Sequence, residues 1–228
     1  MTDRPRKAAS NGPAKILLVD DHPIVRQGIT ELIEHEEGVS VCCAAENVSE
    51  AMQAIAELKP DLAVVDLSLQ DSSGLELIKE IKARYPDVLV LVLSMHDETL
   101  YAERVLRAGA KGYVMKEEAT ERLMTAIRKV LRGQVYLSDQ MSARMLSKFV
   151  DGTPTAGDSA VGRLSDRELQ VFELIGKGLG TRQIAKSLHL SVKTIESHRE
   201  HIKDKLRLTS SQELMRHAMY WQQFERLN

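Results

Sequence analysis

Asp20, Asp21, Asp66, Ser94 and Lys116 lie far apart along the 228-residue chain, yet each stands at or just past the end of a short apolar run. Three carboxylates, a hydroxyl and an ammonium gathered at one place suit a hard divalent cation held by oxygen, together with a phosphoryl group. In such a site Asp66 attacks phosphorus to give an aspartyl-phosphate, with Mg²⁺ offsetting the repulsion between two anions. Asp20 and Asp21 supply carboxylates to the cation, and the backbone carbonyl of Ser68 completes its coordination. Ser94 donates to one phosphoryl oxygen and Lys116 pairs with another, so both bind the modified state better than the unmodified one. Each residue also has an ordinary reading. Asp20 and Asp21 precede His22-Pro23 and could cap a helix, Asp66 could turn the chain, Ser94 could be a loop hydroxyl and Lys116 a solvated lysine. Their joint occurrence at strand ends favours the site.

The runs that carry these residues are KILLVD (15–20), DLAVVD (61–66), DVLVLVLS (87–94) and KGYVM (111–115), with VSVCCA (39–44) as a fifth. Between and after them, segments 24–36, 48–58, 75–84, 98–108 and 120–131 repeat apolar residues at i, i+3 and i+4, the helical period. Strands that are apolar throughout need cover on both faces, so the alternation predicts an α/β, flavodoxin-like (βα)5 doubly wound parallel sheet. Ligands of such sheets bind beyond the carboxyl ends of the strands, where the polar residues fall.

A further amphipathic helix is expected over 138–149, followed by a linker, DGTPTAGDSAVG (151–162), rich in Gly, Thr, Ser, Pro and Asp. Beyond it the sequence predicts a small all-α domain of four helices. Ser165 with Glu168 three residues on forms a capping box for a helix over 166–177. Thr181 is expected to cap a short helix over 181–190, and Ser191 a longer one over 192–206. A last helix runs from 211 to about 227. The tight spacing of the second and third fits a helix-turn-helix.

Composition agrees with this division. Residues 1–162 carry 19 Lys and Arg against 25 Asp and Glu, whereas residues 163–228 carry 12 against 8, so an acidic front is joined to a basic tail suited to nucleic acid. No stretch approaches the roughly 18 apolar residues of a membrane span, and the polar N-terminus, 1–14, lacks the apolar core of a signal peptide. The expectation is a cytoplasmic protein with no membrane partner. Cys42 and Cys43, the two cysteines, are adjacent and are expected as buried strand residues, able neither to close a useful loop nor to form a metal-ligand pattern.

LLVDDHP, VVDLSLQDSSGLELIKEI, LVLSMHDE and AGAKGYVMKE resemble the four signatures of bacterial response-regulator receiver domains over about residues 15–134. The segment 164–206 resembles the LuxR-type helix-turn-helix, and the two together resemble the NarL/FixJ class of two-component response regulators. The resemblance implies that Asp66 is the phosphoacceptor, Asp20 and Asp21 the acidic pair, Ser94 the switch hydroxyl and Lys116 the receiver lysine. Tyr113 matches the aromatic that turns inward when the hydroxyl moves; its ordinary reading is an amphipathic tyrosine on an edge strand. Met95 is larger than the residue most receivers carry there and is expected to narrow access to Asp66, while Ser68 and His96 flank the route of water.

In the third helix of the tail, Ile195, Ile202 and Leu206 recur at helical spacing and should face the core. That leaves Lys193, Thr194, Glu196, Ser197, Arg199, Glu200 and Lys203 for DNA. Lys193, Arg199 and Lys203 would neutralise phosphates. By resemblance Glu196, Ser197 and Glu200 enter the major groove, where a carboxylate can accept from cytosine N4; the alternative for the glutamates is pairing along the helix. His198 and His201 sit at i, i+3 but no third ligand joins them, and a surface role is expected. Leu214, Met215, Ala218 and Trp221 share one side of the last helix, for dimerisation or for packing on the first.

The whole reads as a regulator phosphorylated on Asp66 by a sensor histidine kinase, binding double-stranded DNA as a homodimer, with no catalysis beyond self-limited phosphorylation and dephosphorylation. A flavodoxin-like cofactor protein would need a phosphate-binding loop after the first strand, which DDHPIVRQG does not provide. An adaptor that has lost DNA binding is the remaining alternative, motivated by the acidic residues of the recognition helix.

Overall fold

The computed structural model describes residues 12–69, 72–151, 160–188 and 190–225. Residues 1–11 of the N-terminal segment 1–14, which is expected as a loose tail, most of the linker, the loop residues 70 and 71, His189 and the expected end of the last helix lie outside them, while Ala14 already belongs to the first strand. The chain divides into two compact units, Met1–Ala143 and Arg144–Asn228. Among the described residues no helix is long and apolar enough to cross a membrane.

In the first unit the strands are β1 (Ala14–Val19), β2 (Val39–Ala45), β3 (Leu62–Val65), β6 (Leu89–Ser94) and β7 (Gly112–Met115), with a two-residue hairpin, β4 (Ser68–Leu69) and β5 (Ser72–Ser73), after β3. The five long strands form one sheet in the order β2-β1-β3-β6-β7, every neighbouring pair parallel. Helices α1 (Pro23–Glu34), α2 (Val48–Leu58), α3 (Gly74–Arg84), α4 (Glu98–Ala108) and α5 (Ala119–Leu131) make the crossovers. One face of the sheet presents Ile16, Leu18, Val64, Leu91, Leu93 and Val114 to Ile33 of α1 and to Leu123, Ile127 and Val130 of α5. Residues of the other parity, among them Leu17, Val65 and Val92, are equally buried, as two-sided cover requires. The inner strands therefore have no solvated face, which is why their sequences show no polar alternation, whereas the edge strand β2 is only half-buried along most of its length.

Local chemistry sets the helix starts. Asn47 accepts the Glu50 N–H at the head of α2 and Asp97 the Thr99 N–H at the head of α4, each satisfying a donor that the first turn cannot. The head of α1 differs: its N-cap is His22, with Pro23 next and no side-chain cap. Asp20 and Asp21 are thereby left to the pocket described below, and the helix-cap reading of them does not hold.

The strand order reverses between β1 and β3, so Asp20 and Asp66, each one residue past its strand, sit side by side at the crevice where such sheets bind ligands. The far edge also differs from expectation. Tyr136, two residues beyond the expected end of the first domain, bridges to Gly112; its N–H donates to the Lys111 carbonyl at 2.9 Å and its carbonyl accepts the Tyr113 N–H at 3.0 Å. Helix α6 (Asp139–Asp151) follows, opened by Ser138, whose hydroxyl accepts the Met141 N–H at 3.1 Å.

The second unit holds a 3₁₀ turn, Ala160–Arg163, then α7 (Asp166–Gly176), α8 (Thr181–Ser187), α9 (Val192–Leu206) and α10 (Ser211–Glu225). Val161 in the turn is buried, so the end of the expected linker is part of the folded unit. The Ser165–Glu168 capping box forms as the spacing predicts. Thr181, however, is the first helical residue and not the cap. Gly180 takes the cap position and its N–H is accepted by the Gln183 side chain at 2.8 Å; a side-chain cap at 180 is dispensed with. Helix α10 packs mainly on α7, burying Leu214 and Ala218 and setting the Trp221 ring edge-on to Phe172 at 5.5 Å. Met215 stays exposed with Met219 and Tyr220, so the side expected to carry Leu214, Met215, Ala218 and Trp221 together is split between core and solvent.

Candidate functional site

The acidic end of the sheet is assembled from four strands. Asp20 is positioned by its backbone N–H, donated to Ala45 on β2 at 3.1 Å, and Asp66 by its own, donated to Val19 on β1 at 2.8 Å. Both carboxylates are buried, Asp66 to 3% exposure, and Ser94 is wholly buried. Lys116, the residue after β7, reaches between the two acids: its Nζ lies 2.6 Å from Asp20 Oδ2 and 2.6 Å from Asp66 Oδ2. Burial pushes the Asp66 carboxyl above its ordinary range, and the Lys116 ammonium, by charge and hydrogen bond, pulls only part of the way back. Burial alone would pull Lys116 down, but Asp66 and Asp20 outweigh it and hold the ammonium's pKa above the usual lysine value.

One oxygen in the pocket is left over. Asp21 Oδ1 is buried without a hydrogen-bond partner; His22 Nδ1 is 2.7 Å away but outside hydrogen-bonding direction. An unsatisfied buried carboxylate oxygen is costly in a native structure unless something else supplies positive charge. Ligand atoms of Asp20, Asp21, His22 and Asp66 lie within 4.8 Å of one another, so a hard cation fits the donor set and satisfies the stray oxygen.

Three contacts around the pocket were not read from sequence. Arg26 on α1 donates to the Asp20 carbonyl at 2.6 Å and pairs with Glu46 beyond β2. Gly74 opens α3 so close to the phosphoacceptor candidate that a Cβ there would lie 2.0 Å from the Asp66 carbonyl oxygen; only glycine allows that approach. Ser68 Oγ and His96 Nε2 are 2.8 Å apart, tying the loop after β3 to the loop after β6. Gly74 left a trace in the sequence, a glycine at a helix start; the Arg26–Glu46 and Ser68–His96 pairings are distant in sequence and have no local signal.

Ser94 Oγ accepts the His96 N–H at 3.3 Å. Tyr113, on the edge strand β7, is turned inward, 1% exposed, with its hydroxyl donated to the His96 carbonyl at 2.7 Å. Met95, by contrast, is 61% exposed.

In the second unit α9 buries Ile195, Ile202 and Leu206, as its periodicity predicts. Lys193, Glu196, Ser197 and Glu200 are exposed, and Thr194, Arg199 and Lys203 partly so. Thr194 is drawn into the helix cap, its hydroxyl 2.8 Å from that of Ser191, and Lys203 pairs with Glu200 at 2.8 Å. Glu168 of α7 is buried and receives Lys205 of α9 at 2.6 Å. Burial alone would raise its carboxyl, but the Lys205 and Ser165 hydrogen bonds prevail and hold it below the ordinary value. His198 is held below the usual histidine range, by burial first and by Arg167 and His201 after it.

A doubly wound sheet with an acid-and-lysine rim, joined to a four-helix helix-turn-helix unit, defines a response regulator. Residues 16–128 match the response regulator receiver domain, and residues 162–218 match the bacterial regulatory proteins of the luxR family. The chain belongs to the NarL/FixJ-class response regulators, which are phosphorylation-dependent transcription regulators. It is 38% identical over 209 residues to the oxygen regulatory protein NreC of Staphylococcus carnosus (strain TM300), an alignment covering 90% of this chain and 96% of that one. NreC of Staphylococcus epidermidis (strain RP62A) is 37% identical over 210 residues, with the same coverage. Among solved structures, RcsB from Salmonella enterica serovar Typhimurium, bound to promoter P1flhDC in the presence of phosphomimetic BeF3−, superposes with a TM-score of 0.65 at 28% identity, covering 91% of this chain and 98% of that one. A LuxR-family two-component response regulator from Aurantimonas sp. SI85-9A1 gives a TM-score of 0.57 at 34% identity over 61% of this chain and 99% of that one.

Proposed function

We propose that Asp66 accepts a phosphoryl group from a sensor histidine kinase and that the phosphorylated chain binds double-stranded DNA as a homodimer. The bridge from Lys116 to both Asp20 and Asp66 at 2.6 Å carries this reading, because an ammonium shared by two buried carboxylates suits a site where a phosphoryl group is taken up beside them. Asp66 Oδ2 is the nucleophile, held by Lys116 until an incoming phosphoryl group takes that ammonium over. Asp20, Asp21 and Asp66 would hold Mg²⁺, with the Ser68 carbonyl as a further ligand; the ion would supply charge that lets two anions meet. Ser94 turns to the new phosphoryl oxygen, which takes its hydroxyl from the His96 N–H and draws on the loop that Tyr113 holds. Met95, exposed directly after Ser94, narrows access to Asp66, and Ser68 and His96, 2.8 Å apart, flank the path of water.

On DNA, α9 lies in the major groove. Lys193 and Arg199 neutralise phosphates and Glu196 and Ser197 face the bases. Lys203 and Glu200, paired in the free protein, must separate for Lys203 to reach a phosphate and Glu200 a base. The DNA-bound form of RcsB supports DNA as the partner. The test is incubation with Mg²⁺ and acetyl phosphate followed by intact mass, for the wild type and for Asp66→Ala. One added phosphoryl group on the wild type and none on the variant is the expected result; no adduct on either removes the proposal.

A further inference from the structure

Neighbouring side chains on a regular strand point to opposite faces of the sheet, but Cys42 and Cys43 do not. β2 pairs with β1 through Ile16 opposite Val41 and Leu17 opposite Cys43, so Cys42 is an extra residue with no partner in the ladder. A bulge of this kind bends the strand and re-aims a side chain. It brings the two Sγ atoms to 3.1 Å, joined by a thiol hydrogen bond. Both residues are half-buried and not sealed in the core as expected, and β2 is the edge of the sheet, so a small solute reaches the pair.

We propose that Cys42 and Cys43 are a reversible dithiol–disulfide couple, oxidised within one chain to a vicinal disulfide by a low-molecular-weight disulfide. In the first step the Cys42 thiolate attacks one sulfur of the oxidant; a mixed disulfide forms, and the other half departs as a thiolate that takes up the Cys42 proton. In the second, the Cys43 sulfur attacks the Cys42 sulfur. The Cys42–Cys43 bond forms, the remaining half of the oxidant leaves, and the Cys43 proton goes with it. Two thiols and one disulfide become one disulfide and two thiols, with two electrons passed to the oxidant. The 3.1 Å separation lets the second sulfur reach the first as soon as the mixed disulfide forms, and burial together with the hydrogen bond to Cys42 raises the Cys43 thiol, so the closing step gains speed with rising pH.

Strain makes the couple reversible. Adjacent Cα atoms are about 3.8 Å apart across a trans peptide, shorter than the roughly 4.4–6.8 Å that a relaxed disulfide spans. A strained, accessible disulfide is readily reduced, which separates it from the structural kind. Cys42 stands outside the register with β1, whereas Cys43 is paired with Leu17, so the backbone adjustment that closes the ring falls at the bulge.

The test uses the full chain, fully reduced and then titrated with glutathione disulfide, followed by intact mass and by maleimide labelling of the remaining thiols. The expected product is a monomer lighter by two hydrogens that has lost both reactive thiols and regains them with dithiothreitol. Because the chain has two cysteines, that mass identifies the pair without mapping. Cys43→Ser should stop at a glutathione adduct on Cys42. A wild-type chain that keeps a glutathione adduct, that links into dimers, or that stays reduced where a peptide of residues 39–45 closes would overturn the proposal.

Discussion

The Tyr113 hydroxyl donates to the His96 carbonyl at 2.7 Å, so a residue of β7 fixes the loop that leads out of β6 past Ser94. Tyr113→Phe removes the hydroxyl that makes this bond and keeps the ring. The loss should cost about 1 kcal/mol, whereas Tyr113→Ala, which empties a site 1% exposed, should cost about 3–5 kcal/mol. Urea denaturation of the two variants checks both figures.

Lys116→Gln removes the ammonium that offsets the burial of Asp66. The Asp66 carboxyl should then titrate still higher, and phosphoryl uptake should fall by at least tenfold, since a buried charge is left without its partner. Carboxyl-carbon NMR titration of the variant reads the first effect and the acetyl phosphate assay the second. An unmoved Asp66 titration would mean that Lys116 is not its electrostatic partner.

Access to Asp66 can be opened from two sides. Ser68→Ala breaks the 2.8 Å contact with His96 and should speed loss of the phosphoryl group by about fivefold, the equivalent of one hydrogen bond of about 1 kcal/mol. Met95→Ala should speed phosphorylation by small donors such as acetyl phosphate while leaving transfer from a kinase less affected. Stopped-flow rates equal to wild type in both variants would dismiss the screening role.

Glu168 makes the second unit acid-sensitive. Its carboxyl is held below the ordinary glutamate value in the folded chain, so it contributes stability above the unfolded value and loses it as pH falls through the folded one. Glu168→Gln should cost about 1–3 kcal/mol at neutral pH and progressively less on acidification. Unfolding of the LuxR-type unit within the full chain, followed between pH 7 and pH 3 for both proteins, should show the difference shrinking.

Lys193→Ala and Arg199→Ala should each weaken DNA binding uniformly across sequences and reduce the salt slope of log K by about one. Glu196→Ala should instead change sequence preference, by about 1–3 kcal/mol at one base pair. Fluorescence anisotropy at two salt concentrations distinguishes the two behaviours, and an affinity insensitive to salt would favour the adaptor reading.

The rim of acids was legible because each of its residues is tied to a strand end, and strand ends can be counted from runs such as DLAVVD and KGYVM. The Ser165–Glu168 box was legible because its partners are three residues apart. What escaped is what depends on pairing across the fold. Lys205 meets Glu168 from 37 residues away, and Ser68 meets His96 from 28. The bulge at Cys42 leaves no mark in VSVCCA, because register is a property of two strands and not of one. Thr181 was misread as a cap since glycine, carrying no side-chain acceptor, gives no sign when the box is made by Gln183 alone.

Tyr136 has a practical meaning for anyone who divides this chain. It covers the outer edge of β7, where the Tyr113 N–H and the Lys111 carbonyl would otherwise face water. A receiver fragment ending at residue 134 would uncover those groups beside an apolar strand, the arrangement that invites a second molecule to add its own strand. Fragments should self-associate if they stop before Tyr136 and remain monomeric if they run through α6, so a dimer seen with the shorter fragment would reflect where the chain was cut and not how the regulator assembles.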